Sequence, residues 1–320
     1  MNKNILWLFL CISVLTGCAY FAVQSAPKKS PSTTRRPAAE QADALFWKTL
    51  HGGQYDQIPV ALNALTAAYI VDPGDATTAA HIGWLHVWRI AERTRMVDIP
   101  ATITDHAVMG RRYFEEAVRL NPKDARYLGF YGGILLAEGS IHQDEKLTRK
   151  GYFTLMDSIK AFPEFNYFTA GYVMSERPRD SKQFNEGLEY QWLNLDVCVG
   201  EKVNRHNPDY QKYMHLKTDK GQKRVCWNSW IAPHNLEGFF LNMGDMLVKA
   251  GDWQTAQKIY ANARFSDEYN QWKFRDLLEE RITQAETNVT AFNAPQDTAG
   301  RTAQPIMFQS AFSCMGCHQE

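Results

Sequence analysis

The chain has no excess of charge of either sign. Its 320 residues hold 35 Lys and Arg against 35 Asp and Glu, so no basic surplus is available to follow a nucleic-acid backbone. Alternating Val/Ile/Thr runs are missing, which argues against a sheet protein. No phosphate-cradling glycine loop and no Ser/His/Asp constellation occurs, so the common nucleotide-binding and hydrolase chemistries have no anchor. The one extended apolar run, Ile5 to Ile12, is too short to span a bilayer as a mature helix. Only six cysteines are present, and nearly all of the chemistry converges on them.

What is there begins at the far end. Cys314-Met315-Gly316-Cys317-His318 has the Cys-x-x-Cys-His spacing of covalent haem c attachment. Two thiols three residues apart lie about one helical turn apart, which suits thioether bonds to the two vinyl groups. The adjacent histidine is then the proximal iron ligand. Two other readings of the same residues stand beside it. A redox Cys-x-x-Cys calls for a βαβ setting, and a zinc site needs a fourth ligand from elsewhere.

The near end bears on compartment. Lys3 and the short apolar run read as a signal peptide over residues 1–17. The run closes on Leu15-Thr16-Gly17-Cys18, which resembles the lipobox of bacterial lipoproteins. That resemblance implies cleavage before Cys18, lipidation of Cys18 and a membrane held by the lipid anchor. With Ala19 next rather than Asp, it implies an outer-membrane lipoprotein facing the periplasm or the cell surface. Several acyl chains on one residue anchor stably where one would not. A chain exported this way meets the haem-maturation machinery outside the cytoplasmic membrane.

Residues 18–41 are rich in Ser, Thr, Pro, Ala and basic residues, and read as a disordered tether. From residue 42 the pattern is helical, with an internal repeat. Ala61, Leu65, Ala68 and Pro73 recur as Gly110, Phe114, Ala117 and Pro122, then as Gly151, Leu155, Ser158 and Pro163. A fourth copy is Ala256, Tyr260 and Ala263. The best single copy runs from Phe240 to Leu247 and on through Gly251-Asp252 to Ala256. These residues resemble the tetratricopeptide repeat, with an insertion near 94–108. The resemblance implies an all-α, irregular helical-repeat solenoid over 42–190 and 236–286, whose concave surface docks a protein partner. Trp84 with Trp88, Tyr127 with Tyr131, and Phe165 with Phe168 sit at helical spacing, for that face or for packing between helices.

Between 191 and 235 the repeat pattern breaks. Cys198 and Cys226 lie here and have no other assignment, so an oxidising compartment makes a disulfide the natural reading; metal binding with His206 or His215 is the alternative. Residues 287–320 read as a linker and haem-binding tail, too short to enclose a macrocycle by itself. Candidates for the iron's sixth position are His206, His215, His234 and Met307. The function expected is electron transfer through one covalent haem in an envelope cytochrome. A scaffold lipoprotein with a structural or gas-sensing haem, and a haem peroxidase, are the alternatives.

Replacing Cys18 with Ser is expected to leave the precursor unprocessed and to remove the protein from the outer-membrane fraction. Normal maturation and unchanged fractionation of Cys18→Ser would refute the lipid anchor.

Overall fold

The computed structural model describes residues 18–295 and 304–320. The signal stretch 1–17, with Leu15 to Gly17 of the lipobox, lies outside the described residues, as does 296–303 of the linker. Cys18 is described and exposed. Helices make up 71% of the structure, and no strand occurs among the described residues, as an all-α fold requires.

The helices come in consecutive pairs. Helix α1 (Pro37–His51) packs on α2 (Ile58–Val71), α3 (Ala76–Ala91) on α4 (Asp105–Leu120), and α5 (Ala125–His142) on α6 (Glu145–Ala161). Helix α7 (Pro163–Met174) packs on α8 (Lys182–Val199), and α9 (Asn235–Ala250) on α10 (Trp253–Ala261). Two short helices, α11 (Arg275–Thr283) and α12 (Ala285–Ala291), follow, and a single-turn α13 (Met315–His318) ends the chain. The starts are set locally. Asp75, Asp124, Asp144, Ser181 and Asp252 each accept backbone N–H bonds at the head of a helix. Pro37 and Pro163 open helices in the first turn, where no N–H is missed.

The repeated small–large–small triplets fall on the buried stripes of α2, α4, α6 and α10, the last continuing to Ala263 in the 3-10 turn Asn262–Phe265. Each large residue meets a close approach from the first helix of its pair where that helix carries glycine. A Cβ on Gly83 would stand 2.9 Å from the Phe114 ring, and one on Gly244 would stand 2.2 Å from the Tyr260 ring. Gly132 meets Leu155 at 2.8 Å in the same way. Any larger residue would push the helices apart and cost about 1–3 kcal/mol or more.

The structure also holds a copy that apolar patterning hides. Gly187, Gln191 and Asn194 keep the spacing on α8, and all three are buried. Gln191 donates to Asn242 Oδ1 at 3.2 Å, and Asn194 to the Glu164 carbonyl at 2.7 Å. Buried amides with partners can stand where an apolar residue was expected. Helix α8 therefore runs on to Val199, and the irregular segment begins there rather than at 191.

Two further boundaries move. The stretch expected to be a free tether is fastened from Lys29 onward. The Lys29 ammonium lies 2.8 Å from Glu116, Ser32 donates to Asp72, and Arg35 pairs with Asp43 and with Asp75 at 3.0 Å. Lys29 and Arg35 reach carboxylates 40 or more positions away, Asp43 excepted, while Lys28 and Arg36 remain exposed. At the other end α12 carries helix through Ala291, past the linker start expected at 287, and Asn293 donates to the Lys249 carbonyl at 3.0 Å. Between α3 and α4 two 3-10 turns, Arg93–Arg95 and Ala101–Thr104, occupy the place of the expected insertion.

The segment between α8 and α9 folds down on the last helix pair. Tyr210 and Trp227 are buried in it, and Asn262 ties it by accepting from Tyr210 N and donating to the Pro208 carbonyl. Cys198 and Cys226 form a disulfide, with Cα atoms 5.8 Å apart. Two cores matter for the chain terminus. Cys314 and Met315 belong to the core of α1 to α3, while Ile306, Met307 and Cys317 belong to that of α9 to α12.

The disulfide closes a loop of 28 residues. Replacing either cysteine with Ser should lower unfolding free energy by about 3–4 kcal/mol in the chain-entropy account, seen as a lower urea midpoint. Alkylation of both residues in the folded, unreduced protein would show the bond to be absent.

Candidate functional site at the Cys-x-x-Cys-His turn

The turn of α13 is closed by its own backbone. Gly316 N–H donates to the Phe312 carbonyl at 2.8 Å, and His318 N–H to the Cys314 carbonyl at 3.2 Å. Such a turn leaves N–H groups at its head without internal partners. Here Glu92, at the C-terminal end of α3, supplies the acceptor. Its Oε1 takes the N–H of Cys314 at 2.8 Å and of Met315 at 3.1 Å. Its Oε2 faces Arg95 Nη1 at 3.1 Å, and Arg95 Nη2 donates to the Gly53 carbonyl. Glu92 is fully buried. Burial raises its pKa, and the two tail amides and Arg95 act in the opposite direction.

The other polar groups of the turn are met from the C-terminal half. Trp272 Nε1 donates to the Gly316 carbonyl at 2.9 Å, and His234 N–H to the Cys317 carbonyl at 3.0 Å. Glu320 N–H reaches the His51 carbonyl at 3.0 Å. Contact with α9 is just as tight. A Cβ on Gly238 would lie 2.3 Å from Cys317 Sγ, so only glycine there lets the turn seat.

His318 Nδ1 lies 2.9 Å from the Ile231 carbonyl. A carbonyl only accepts, so Nδ1 carries the hydrogen and Nε2 keeps its lone pair. Burial pushes the His318 pKa down to about 4; the Ile231 carbonyl pulls the other way and His51 adds to the lowering. The imidazole is therefore neutral at physiological pH, as a metal ligand must be. The Trp84 ring meets the imidazole edge-on, with centroids 5.0 Å apart.

Both thiols are buried. Burial, then the Glu92 charge, holds Cys314 well above the usual thiol range. Burial, then Glu237, pushes Cys317 up to about 12. Reactive redox cysteines need the reverse, access and a lowered pKa, so the disulfide-exchange reading loses ground. For zinc, no group of three or more His, Cys, Asp or Glu side chains is gathered among the described residues.

The residues present fit a covalently held haem. One turn brings together two thiols and a neutral imidazole with Nε2 free. Trp84, Phe168, Tyr172, Phe308 and Phe312 are only partly covered around it. Tyr172 sits against Phe308 at 4.8 Å; burial, then the two thiols, raise its pKa, and Ser313 acts in the opposite direction.

The four candidates for the sixth position divide evenly. His206 and His215 are exposed in the irregular segment. His234 and Met307 are brought to the turn. His234 Nδ1 faces Glu237 Oε1 at 3.3 Å, and the Met307 methyl lies 2.5 Å from where a Cβ on Gly316 would stand. Both pack on the turn that carries His318. Reading the sequence missed Glu92, Gly238, Ile231, Trp272 and Tyr172. Two were within reach of helical spacing, because Glu92 continues Trp84–Trp88 by one turn and Tyr172 continues Phe168.

No protein-family model, curated protein or solved structure matches the chain.

Glu92→Ala strands two tail amides and should cost about 1.5–3 kcal/mol, the usual loss for bonds to a charged group. Gly238→Ala should cost about 1–3 kcal/mol by overpacking against Cys317. In haem-free protein both variants should expose Cys314 and Cys317 to maleimide while wild type protects them, as read by mass spectrometry. Equal protection in all three would refute the docking.

Proposed function

We propose that this chain is a lipid-anchored envelope cytochrome that carries one c-type haem and passes single electrons. Cys314 and Cys317 supply the thioethers and His318 the proximal ligand. The observation that carries the reading is the hydrogen bond from His318 Nδ1 to the Ile231 carbonyl, in a turn that also holds both thiols. Such a bond fixes ring orientation and tautomer and makes Nε2 a better ligand. When bound, the haem supplies a one-electron couple. The chain's own contribution is to hold the turn through Glu92, Trp272 and His234, and to cover it with aromatic side chains that limit water.

The body fits a tetratricopeptide-like solenoid with a partner-docking face. Its support is the small–large–small stripe on four second helices, with glycines opposite three of them. The envelope and outer-membrane assignment rests on Leu15-Thr16-Gly17-Cys18 and on the exposure of Cys18. Among the described residues no helix is long and apolar enough to cross a membrane.

One observation favours a second reading. Of the four sixth-ligand candidates, two are exposed and two pack on Gly316 and Cys317 of the turn that carries the proximal histidine. An iron left open on the other side would bind small gases or peroxide, in a sensor or peroxidase.

The test is to express the chain with the haem-maturation machinery and record spectra with and without reductant and carbon monoxide. Covalent haem that is lost in the Cys314→Ala, Cys317→Ala double variant is expected. A low-spin iron indifferent to carbon monoxide supports electron transfer, and a high-spin iron that binds it supports the second reading. Absence of covalent haem from wild type would overturn both.

A further inference from the structure

The proximal histidine is linked to one particular patch of the surface by two independent routes. The first is a hydrogen bond. The Ile231 carbonyl that receives His318 Nδ1 belongs to a tight turn, closed by reciprocal bonds of 3.1 Å between Ser229 and Ala232. The side chains at the tip of that turn are Trp230 and Ile231, 62% and 43% exposed. Trp230 does not stand alone: its ring lies 4.8 Å from that of Trp47, so the exposed apolar side chains are contiguous, as those of a contact site are.

The second route is a run of aromatic rings. His318 meets Trp84 at 5.0 Å, Trp84 meets Phe46 at 6.3 Å, Phe46 meets Trp47 at 4.8 Å, and Trp47 meets Trp230 at 4.8 Å. It ends at the same exposed indole. Around Trp47 and Trp230 lies a shallow, open cleft of about 810 Å³, bordered by Lys48, Lys273, His51 and Glu320. Both lysines are exposed, and the Glu320 side-chain carboxylate lies 3.5 Å from His51 Nδ1.

We propose that this patch is where the redox partner docks: a protein that presents an apolar centre within a carboxylate-bearing rim. The inference rests on the haem reading above and adds the place and chemistry of its partner. An exposed tryptophan is the residue type most often found as an energetic anchor, and a lysine rim favours an acidic face and speeds encounter. With haem bound, the partner's reduced centre would supply one electron, with no bond made or broken. A wide, open cleft suits a protein surface better than a small ligand, which binds where most of its own area is enclosed.

The test uses the full chain with covalent haem and a reduced plant-type ferredoxin, an acidic one-electron donor near −400 mV, as probe. Haem reduction is followed by stopped flow. Trp230→Ala should slow the second-order rate about tenfold at low and high salt, with the haem spectrum unchanged. Lys48→Glu with Lys273→Glu should slow it about tenfold at low salt and converge on wild type near 1 M salt, where the screening length is about 3 Å. Lys123→Glu with Lys182→Glu, which changes net charge equally away from the patch, should have a much smaller effect. A wild-type rate in Trp230→Ala, or equal slowing by the two lysine pairs, would overturn the port and leave the haem reading intact. A wild-type chain without covalent haem would overturn both.

Discussion

A single buried carboxylate joins the two ends of this chain. Glu92 accepts the amides of Cys314 and Met315, residues 222 and 223 positions away, and balances its charge with Arg95. A carboxylate with this little exposure is tolerable only because its acceptor capacity is filled. Everything about the terminal turn follows from that docking. Cys314 and Met315 enter the core of α1 to α3, and Cys317 enters that of α9 to α12. The turn thus connects helix pairs at opposite ends of the sequence.

The helix pairs themselves obey a simpler constraint. Where glycine on a first helix faces Phe114, Leu155 or Tyr260, the two backbones can approach within the reach of one ring or one branched side chain. The α7–α8 pair meets the same demand with polar groups, Gly171 lying against Gln191. Its amides are then committed to Asn242 and to the Glu164 carbonyl, which ties this pair to α9 across the irregular segment. That segment is held at its base by the Cys198–Cys226 bond and at its far end by Ile231 and His234 on the terminal turn. The disulfide and the docking site therefore belong to one mechanical unit.

Helix content, the repeat stripe, the disulfide pair and the Cys-x-x-Cys-His motif were all legible in the sequence. Each depends on residues at short or regular spacing, where local geometry decides which side chains share a face. The repeat continues past 191 because Gln191 and Asn194 carry it with amides, which a hydrophobic pattern does not register. The stretch from Lys29 to Arg35 is a related case. Lys29 and Ser32 look solvated until Glu116 and Asp72 are brought beside them by the fold.

By itself the sequence determined that the chain is helical, that its helices pair through a small–large–small stripe, and that two thiols and an imidazole share one turn. Covalent spacing and helical period are sufficient for each of these. Only the tertiary structure decided what surrounds that turn. Glu92, Trp272 and the stretch from Ile231 to Gly238 are three separate parts of the chain, so nothing linear marks them as neighbours of the turn. Their selection is a matter of which buried amides and carbonyls must find partners once two cores close around the same turn.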